Sequence, residues 1–349
     1  MNYRPDKQYV LSCDNCGATQ VLEIAADAVV ERNFHEALRT QSVPRGMGTQ
    51  THDFKCGGCG ATTMTDASVA TVECSFCGTP LVKPDAYSQN LIRPVGLAPF
   101  KVDKTQAQQT FSNWLGQGWF LPSNLKKVAE LSKLEGVYVP YWTFDAKTHS
   151  SWTADAGYYY YVEVEYTDSQ GQRQKRQEQR TRWQPASGQY HEFFDDVLVP
   201  ASAGVKAENA KKIEPFDLKE VVNFDPRYLL GWRSEAYAVD PETGFERAEA
   251  VMDRAIYSAC AKMVPGDTHR NLKVNTRKYD ITFKHILLPI WMAAYKYGDK
   301  TYQVLINGQT GKIAGEKPIS WLKIALTLLA LAALLALMYL FLFKKAAAG

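Results

Sequence analysis

The 349-residue chain lacks the short motifs that mark the commonest nucleotide and hydrolase sites. There is no G-x-x-x-x-G-K-[S/T] phosphate cradle, no G-x-S-x-G nucleophile elbow, no G-x-G-x-x-G dinucleotide turn and no H-E-x-x-H zinc-protease pair. The nearest approach to a phosphate loop, Gly308-Gln309-Thr310-Gly311-Lys312-Ile313, has too few residues between its glycines and Ile in place of the Mg²⁺-binding hydroxyl. No ATPase is expected. Charge of one sign is also missing: 40 Lys and Arg against 37 Asp and Glu leave a formal charge of +3, so the whole molecule does not demand a polyanionic partner. The first residues, Met1 to Asp6, contain no apolar stretch, and no secretory leader is expected there. His191-Glu192-Phe193-Phe194-Asp195-Asp196 sets an acidic cluster beside a histidine without a nucleophile, and reads as a solvated loop or strand edge. The chain is expected not to be an enzyme and to have no small-molecule substrate.

What is present is concentrated at the two ends. From Ile324 to Phe343 there are 20 consecutive uncharged residues, nine of them Leu and five Ala. As a helix this run is about 30 Å long, the thickness of a bilayer core. Trp321, Lys323, Tyr339, Lys344 and Lys345 flank it as interfacial anchors. The mean hydropathy of −0.30 hides this end by averaging it with a polar body. The expectation is a single transmembrane helix within 319–345.

Six of the seven cysteines fall into three C-x-x-C-G units: Cys13/Cys16, Cys56/Cys59 and Cys74/Cys77. Two thiolates three positions apart on a tight turn reach one tetrahedral Zn²⁺ at about 2.3 Å, and the following glycine supplies the positive φ that closes the turn. Cys56/Cys59 and Cys74/Cys77, separated by 14 residues, match a four-cysteine zinc ribbon at 54–82. Four thiolate ligands leave no open coordination position, which favours binding over catalysis. Cys13 and Cys16 have no second pair. A mixed site with His35 or His52, a ribbon that has lost its second knuckle, and a pair closed by a partner all fit. Reduced thiols of this kind place residues 1 to about 320 in the cytoplasm, tail-anchored by the last helix in the inner membrane. Cys260 lies on an apolar helical face and reads as core.

Between these ends, 85–318 reads as a β-rich α+β body that follows a ribbon region at 1–84. Pro94 to Phe100 is expected to be an extended linker. Asp103 and Gln106 form a capping box for a helix with Ala107, Phe111, Trp114 and Leu115 on one face, and a second short helix starts at Ser123. Strands are expected at 137–144, 150–156 and 158–167, with 172–183 returning after a turn at 168–171. A helix runs from its cap at Asp240 to Val264, burying Phe245, Ala248, Met252, Ala255 and Ala259. Final strands run over 278–297 and 301–306. Val137-Tyr138-Val139-Pro140-Tyr141-Trp142 echoes Ile286-Leu287-Leu288-Pro289-Ile290-Trp291, from either two related halves or convergent strand chemistry. Arg173, Lys175, Arg176, Arg180, Arg182 and Trp183 could grip phosphate and stack a base. Glu163 and Glu165 on the facing strand are expected to consume that charge and Glu178 to dilute it. This leaves a solvated hairpin face, with contact to anionic lipid headgroups or to nucleic acid as the alternatives.

Together, the two knuckles at 56–60 and 74–78, the run from Trp119-Phe120-Leu121-Pro122 to Trp142, and Leu288-Pro289-Ile290-Trp291 with Asn307 to Lys312 resemble a family of bacterial TFIIB-type zinc-ribbon membrane proteins, often labelled replication-factor-like. The resemblance implies N-terminal ribbons, a hydrophobic C-terminus and an association of some members with envelope stress. A first ribbon in such proteins has both knuckles; here only Cys13 and Cys16 stand in that place. The expected function is a membrane-tethered adaptor whose ribbon docks a protein partner at the membrane. The alternative is a nucleic-acid-binding ribbon protein on the same anchor, without ATPase activity.

Overall fold

The computed structural model describes residues 2–4, 10–13, 15–22, 29–40, 44, 51–66, 72–81, 91–125, 134–167, 169 and 171–347. Three short antiparallel strands, β1 (Asn2–Arg4), β2 (Val10–Ser12) and β3 (Thr19–Val21), carry the first knuckle. β4 (Arg32–Asn33) leads into α1 (Phe34–Thr40), and β5 (Thr51–Lys55), β6 (Thr62–Asp66), β7 (Val72–Glu73) and β8 (Pro80–Leu81) bracket the second and third knuckles. The body contains β9 (Gly96–Leu97), α2 (Lys104–Leu115), β10 (Glu135–Thr167), β11 (Arg173–Pro200), α3 (Ala207–Ile213), β12 (Val222–Asn223) and β13 (Arg233–Ala236). It continues through α4 (Pro241–Met263), β14 (Thr268–Tyr297), β15 (Lys300–Asn307) and β16 (Ile313–Gly315) to α5 (Trp321–Ala347). The chain is thus mixed α+β and rich in β, with one apolar C-terminal helix.

Three strands of 33, 28 and 30 residues make a single antiparallel blade in the order β11-β10-β14. The segments expected as separate strands at 137–144, 150–156 and 158–167 are one element. The blade stays continuous because its register shifts are absorbed by bulges at Asp145 and Thr153/Asp155 rather than by turns. Asp196, Asn271 and Asp280, all at positive φ, lie on the partner strands at these places. Alternation along β10 assigns the two faces. Val137, Val139 and Tyr141 point towards Ile286, Leu288 and Ile290 and the ribbon, while Tyr138 points towards Leu287, Trp291 and α2. Further along, α4 covers Trp142 and Phe144.

The two echo segments are neighbours. Val139 pairs with Leu288, and the pairing runs symmetrically outwards, Tyr138 opposite Pro289 and Val137 opposite Ile290. Each segment also has a short parallel strand on its outer side, β13 beside Val137 and Tyr138, β9 beside Ile286 and Leu287. The tryptophans that end the echoes cross over. Trp142 Nε1 donates to Val239 O and Trp291 Nε1 donates to Val102 O, both at 2.8 Å, and each acceptor immediately precedes the Asp that caps a helix. A local two-fold relation therefore links β9-α2-β10-β11 with β13-α4-β14-β15.

The capping box at Asp103 and Gln106 is formed, and Ala107, Phe111 and Leu115 are buried. α4 begins at Pro241 after its cap Asp240, but its buried stripe runs Phe245, Ala248, Met252, Ile256 and Cys260. Ala255 is exposed and Ala259 half-buried. Ile256 and Cys260 continue the four-residue step from Met252 and bring more apolar surface to the sheet than the alanines would. Pro94 to Phe100 is extended, yet it is not a free linker: Gly96 to Phe100 are buried, and β9 lies in the sheet. The short helix expected from Ser123 falls largely outside the described residues, as do Asp168 and Gln170 of the hairpin turn.

Candidate metal centre

Each knuckle is built the same way. In all three, the N–H of the glycine returns to the carbonyl of the first cysteine (Gly17 to Cys13, Gly60 to Cys56, Gly78 to Cys74), at 2.7 to 2.9 Å. The first cysteine's own N–H reaches the carbonyl of the residue after that glycine, and Gly17, Gly60 and Gly78 have φ of 71°, 79° and 75°. The positive φ is the conformation for which glycine alone carries no Cβ penalty.

Two of these turns converge. Cys56 Sγ lies 3.4 Å from Cys77 Sγ and Cys59 Sγ lies 3.6 Å from Cys74 Sγ, and all four sulfurs fall within 4.8 Å of one another. Four sulfurs around a tetrahedral ion at about 2.3 Å would be spaced by about 3.8 Å, so the set fits a zinc-sized cation. The donor set also fits: the N–H of Gly58 points at Cys56 Sγ at 3.4 Å, and Thr79 Oγ1 lies 3.1 Å from Cys77 Sγ. Cys74 is pushed down to about 5, first by the hydrogen bond from the Cys59 thiol and then by the N–H groups of Phe76 and Cys77. Cys59, the donor to Cys74, is held well above the ordinary thiol value. Burial raises Cys77. A cation inserted among them replaces these shared protons.

The centre is not a free-standing module. Cys56, Cys74, Phe54 and Phe76 belong to the same apolar cluster as Val137, Val139, Tyr141 and Leu288. β6 adds to the edge of β13, with Ser234, Glu235 and Ala236 opposite Met64, Thr63 and Thr62. Phe76 packs against Gly204, where a Cβ would come within 2.1 Å of its ring. Gln303 Nε2 donates to the carbonyls of both Phe76 and Gly204. Ser75 and Arg233 converge on the Glu135 carboxylate. Glu235 Oε1 accepts from the N–H groups of Ala203 and Gly204 at 3.2 Å, and burial pushes its carboxyl up to about 8. None of these supports was identified from the sequence, although an aromatic residue inside a C-x-x-C turn, Phe76, was a visible signal.

Cys13 and Cys16 remain apart from this centre. Cys13 is half-buried and Cys16 exposed, and no third or fourth ligand joins them among the described residues. The N–H groups of Cys16 and Asn15 hold the Cys13 thiol below its ordinary value. His35 lies on α1 with its ring against Phe34, and the side chain of His52 lies outside the described residues. Cys260 is buried in the core under α4. The acidic residues of 191–196 meet Asp145, but Lys284 Nζ fills that cluster, 2.7 Å from Asp196 and 2.9 Å from Glu31. The expected neutralisation of the basic hairpin is only partial. Lys175 pairs with Glu163, and Glu178 stands 4.0 Å from Arg180. By strand alternation Arg176, Arg180 and Arg182 share the opposite face with Tyr158, Tyr160 and Tyr166.

At the far end, Trp321 to Tyr339 of α5 forms a 19-residue stretch of mean hydropathy 2.2 with none of it buried, so this helix is long and apolar enough to cross a membrane. The molecule combines a closed four-thiol centre with a β-rich body and this helix. The chain is similar to the uncharacterized protein YdjG of Bacillus subtilis (strain 168), with 28% identity over 238 residues. That stretch is 67% of this chain and 66% of YdjG, so the match spans about two thirds of the relative. No family model and no solved structure matches the chain.

Proposed function

We propose that this chain is a membrane-tethered adaptor of the zinc-ribbon type, held at the inner membrane by α5 with its body in the cytoplasm. In this reading Cys56, Cys59, Cys74 and Cys77 hold one structural Zn²⁺ that clamps the ribbon to the body. A protein partner docks on the projecting end of β10 and β11. Six thiols in knuckle turns favour a reducing compartment, and four thiolate ligands leave the metal no position for substrate.

The observation that carries this reading is the arm. Gly157 is the last residue of β10 paired with β14. Beyond it, ten residues of β10 and their partners on β11 continue as a two-stranded ribbon, about 33 Å at the usual strand rise. Tyr159, Tyr160, Tyr161 and Tyr166 are exposed there. Tyrosine supplies large contact area at low entropic cost, and is enriched where proteins meet. The described part of the zinc ribbon packs its inner face on the body, through Phe54 and Phe76.

A second reading rests on one face of the same arm. Arg176, Arg180 and Arg182 with Tyr158, Tyr160 and Tyr166 form a basic and aromatic stripe, interrupted by Glu178, on a two-stranded antiparallel ribbon, a shape that a nucleic-acid major groove admits. Binding of a purified partner at two salt concentrations separates the two. Phosphate-driven binding falls log-linearly with salt, whereas a largely apolar protein interface does not. The adaptor reading predicts a weak salt slope and loss of partner when Tyr159, Tyr160 and Tyr161 are all changed to Ser. A steep slope abolished by Arg176→Glu, Arg180→Glu and Arg182→Glu contradicts it. The two-fold relation in the blade further leads us to infer that the body consists of two related β-α-β-β halves.

A further inference from the structure

The exposed large side chains of the body include one that no packing explains. Trp119 is 79% exposed, and its neighbour Phe120 is 40% exposed, in the loop after α2. Gly118, at φ 131°, turns the chain there and tucks Leu121 inwards while Trp119 faces out. The second tryptophan of comparable exposure, Trp321 at 78%, opens α5, followed by Leu322 at 71%. The two sites are tied together by backbone: the N–H of Ser320, one residue before α5, donates to the carbonyl of Phe120 at 2.7 Å. Lys317 strengthens the joint, donating to the carbonyls of Trp114 and Gln117 at 2.6 and 2.7 Å and lying over the Trp114 ring at 4.2 Å. The end of α2, the loop and the start of α5 form one block.

A helix that crosses a bilayer passes the headgroup layer at its first turn, and tryptophan prefers that layer because its ring is amphipathic. A loop hydrogen-bonded to the residue before the helix lies at that same depth. We propose that the loop 117–121 is a second membrane contact, with Trp119 and Phe120 seated in the interfacial layer of the bilayer that α5 crosses. This rests on the reading of α5 as a membrane span. The lipid surface is the occupant because the apolar loop is continuous with the apolar helix. With the helix and the loop both engaged, the body has two points of support and a fixed tilt on the membrane.

The test uses the full chain reconstituted in vesicles of phosphatidylcholine and phosphatidylglycerol that carry an alkyne-tagged phosphatidylcholine. Photoreactive benzoylphenylalanine replaces, one at a time, Trp119, Leu331 in α5, or Tyr161 at the arm, and zinc content confirms that each variant is folded. After illumination the proposal expects lipid adducts at 119 and 331 and a several-fold lower yield at 161. Adducts at 331 without adducts at 119 overturn the loop contact and leave the membrane span intact. No adduct at 331 overturns the span, and the loop contact with it. A protein-to-protein adduct at 119 in place of lipid assigns the loop to a second copy and also overturns the proposal.

Discussion

Cys74 shows how the site is tuned one side chain at a time. Its thiol lies at about 5 because Cys59 and two backbone N–H groups donate to it, so a negative charge is prepared for a cation. Cys74→Ser is expected to remove the metal and to destabilise the fold by several kcal/mol; zinc-binding free energies of roughly 10–16 kcal/mol in small peptides set the ceiling. Cys16→Ser, in a knuckle without a second pair, should change thermal stability little. Metal analysis and melting of the two variants side by side check both statements. Because the ligands must be deprotonated, zinc should be released as pH falls, not as it rises. A residue away from the metal centre gives the clearest pH effect on the core. His285 is fully buried, its Nδ1–H donates to Ile92 O at 2.8 Å, and burial lowers it to about 4. The unfolded imidazole takes its proton near 6.5, so the unfolded state binds more protons between 6.5 and 4. Stability therefore falls as pH drops through that window and levels off below it, by about 3 kcal/mol in all. The difference in stability between wild type and His285→Phe, followed by urea unfolding from pH 7 to 4, should show this slope, because contributions of other groups such as Glu235 cancel in the comparison.

The capped starts of α2 and α4 and the knuckle turns were legible because their signals are local, whereas α1 and α3 went unread. Asp103 with Gln106, Asp240 with Pro241 and the three C-x-x-C-G turns all adopt the expected geometry from a handful of adjacent residues. Asp240→Ala removes the acceptor for the Thr243 N–H at 2.7 Å and is expected to cost about 1 kcal/mol, measurable by urea denaturation. Strand length was not legible. Whether β10 breaks at Asp145 or bulges there depends on Asp196 and Thr282, which donate to its carboxylate from the two flanking strands. The fate of Glu163 and Glu165 turned on alternation: they lie on the face away from Arg176, Arg180 and Arg182, and among the described residues Lys175 is the one they draw into a pair. The echo segments were visible as sequence, but their crossed tryptophan bonds join residues about 100 positions or more apart in the chain.

Across the whole molecule the greatest difference between sequence and structure is the place of the ribbon. Its four clustered cysteines were readable from spacing, while its attachment through Phe76, Gly204, Gln303 and the β6–β13 pairing requires segments that meet only in the folded chain. Phe76→Ala should therefore destabilise the body as well as the ribbon, by about 3–5 kcal/mol for a buried aromatic, and chelation should lower the unfolding transition of ribbon and body together rather than melt a detached module. α5 and the arm lie at opposite ends of the blade, since β10 begins beside the last strands before α5 and ends at the hairpin tip. In the adaptor reading, this shape would hold the partner away from the anchor. The most direct measurement is purification of the full chain from mild detergent, with and without nuclease, beside a form in which residues 159–180 are replaced by a short turn. The account predicts a stoichiometric protein that survives nuclease and is lost with the arm while zinc content stays the same. Nucleic acid in the eluate, with partners released by nuclease, would contradict it.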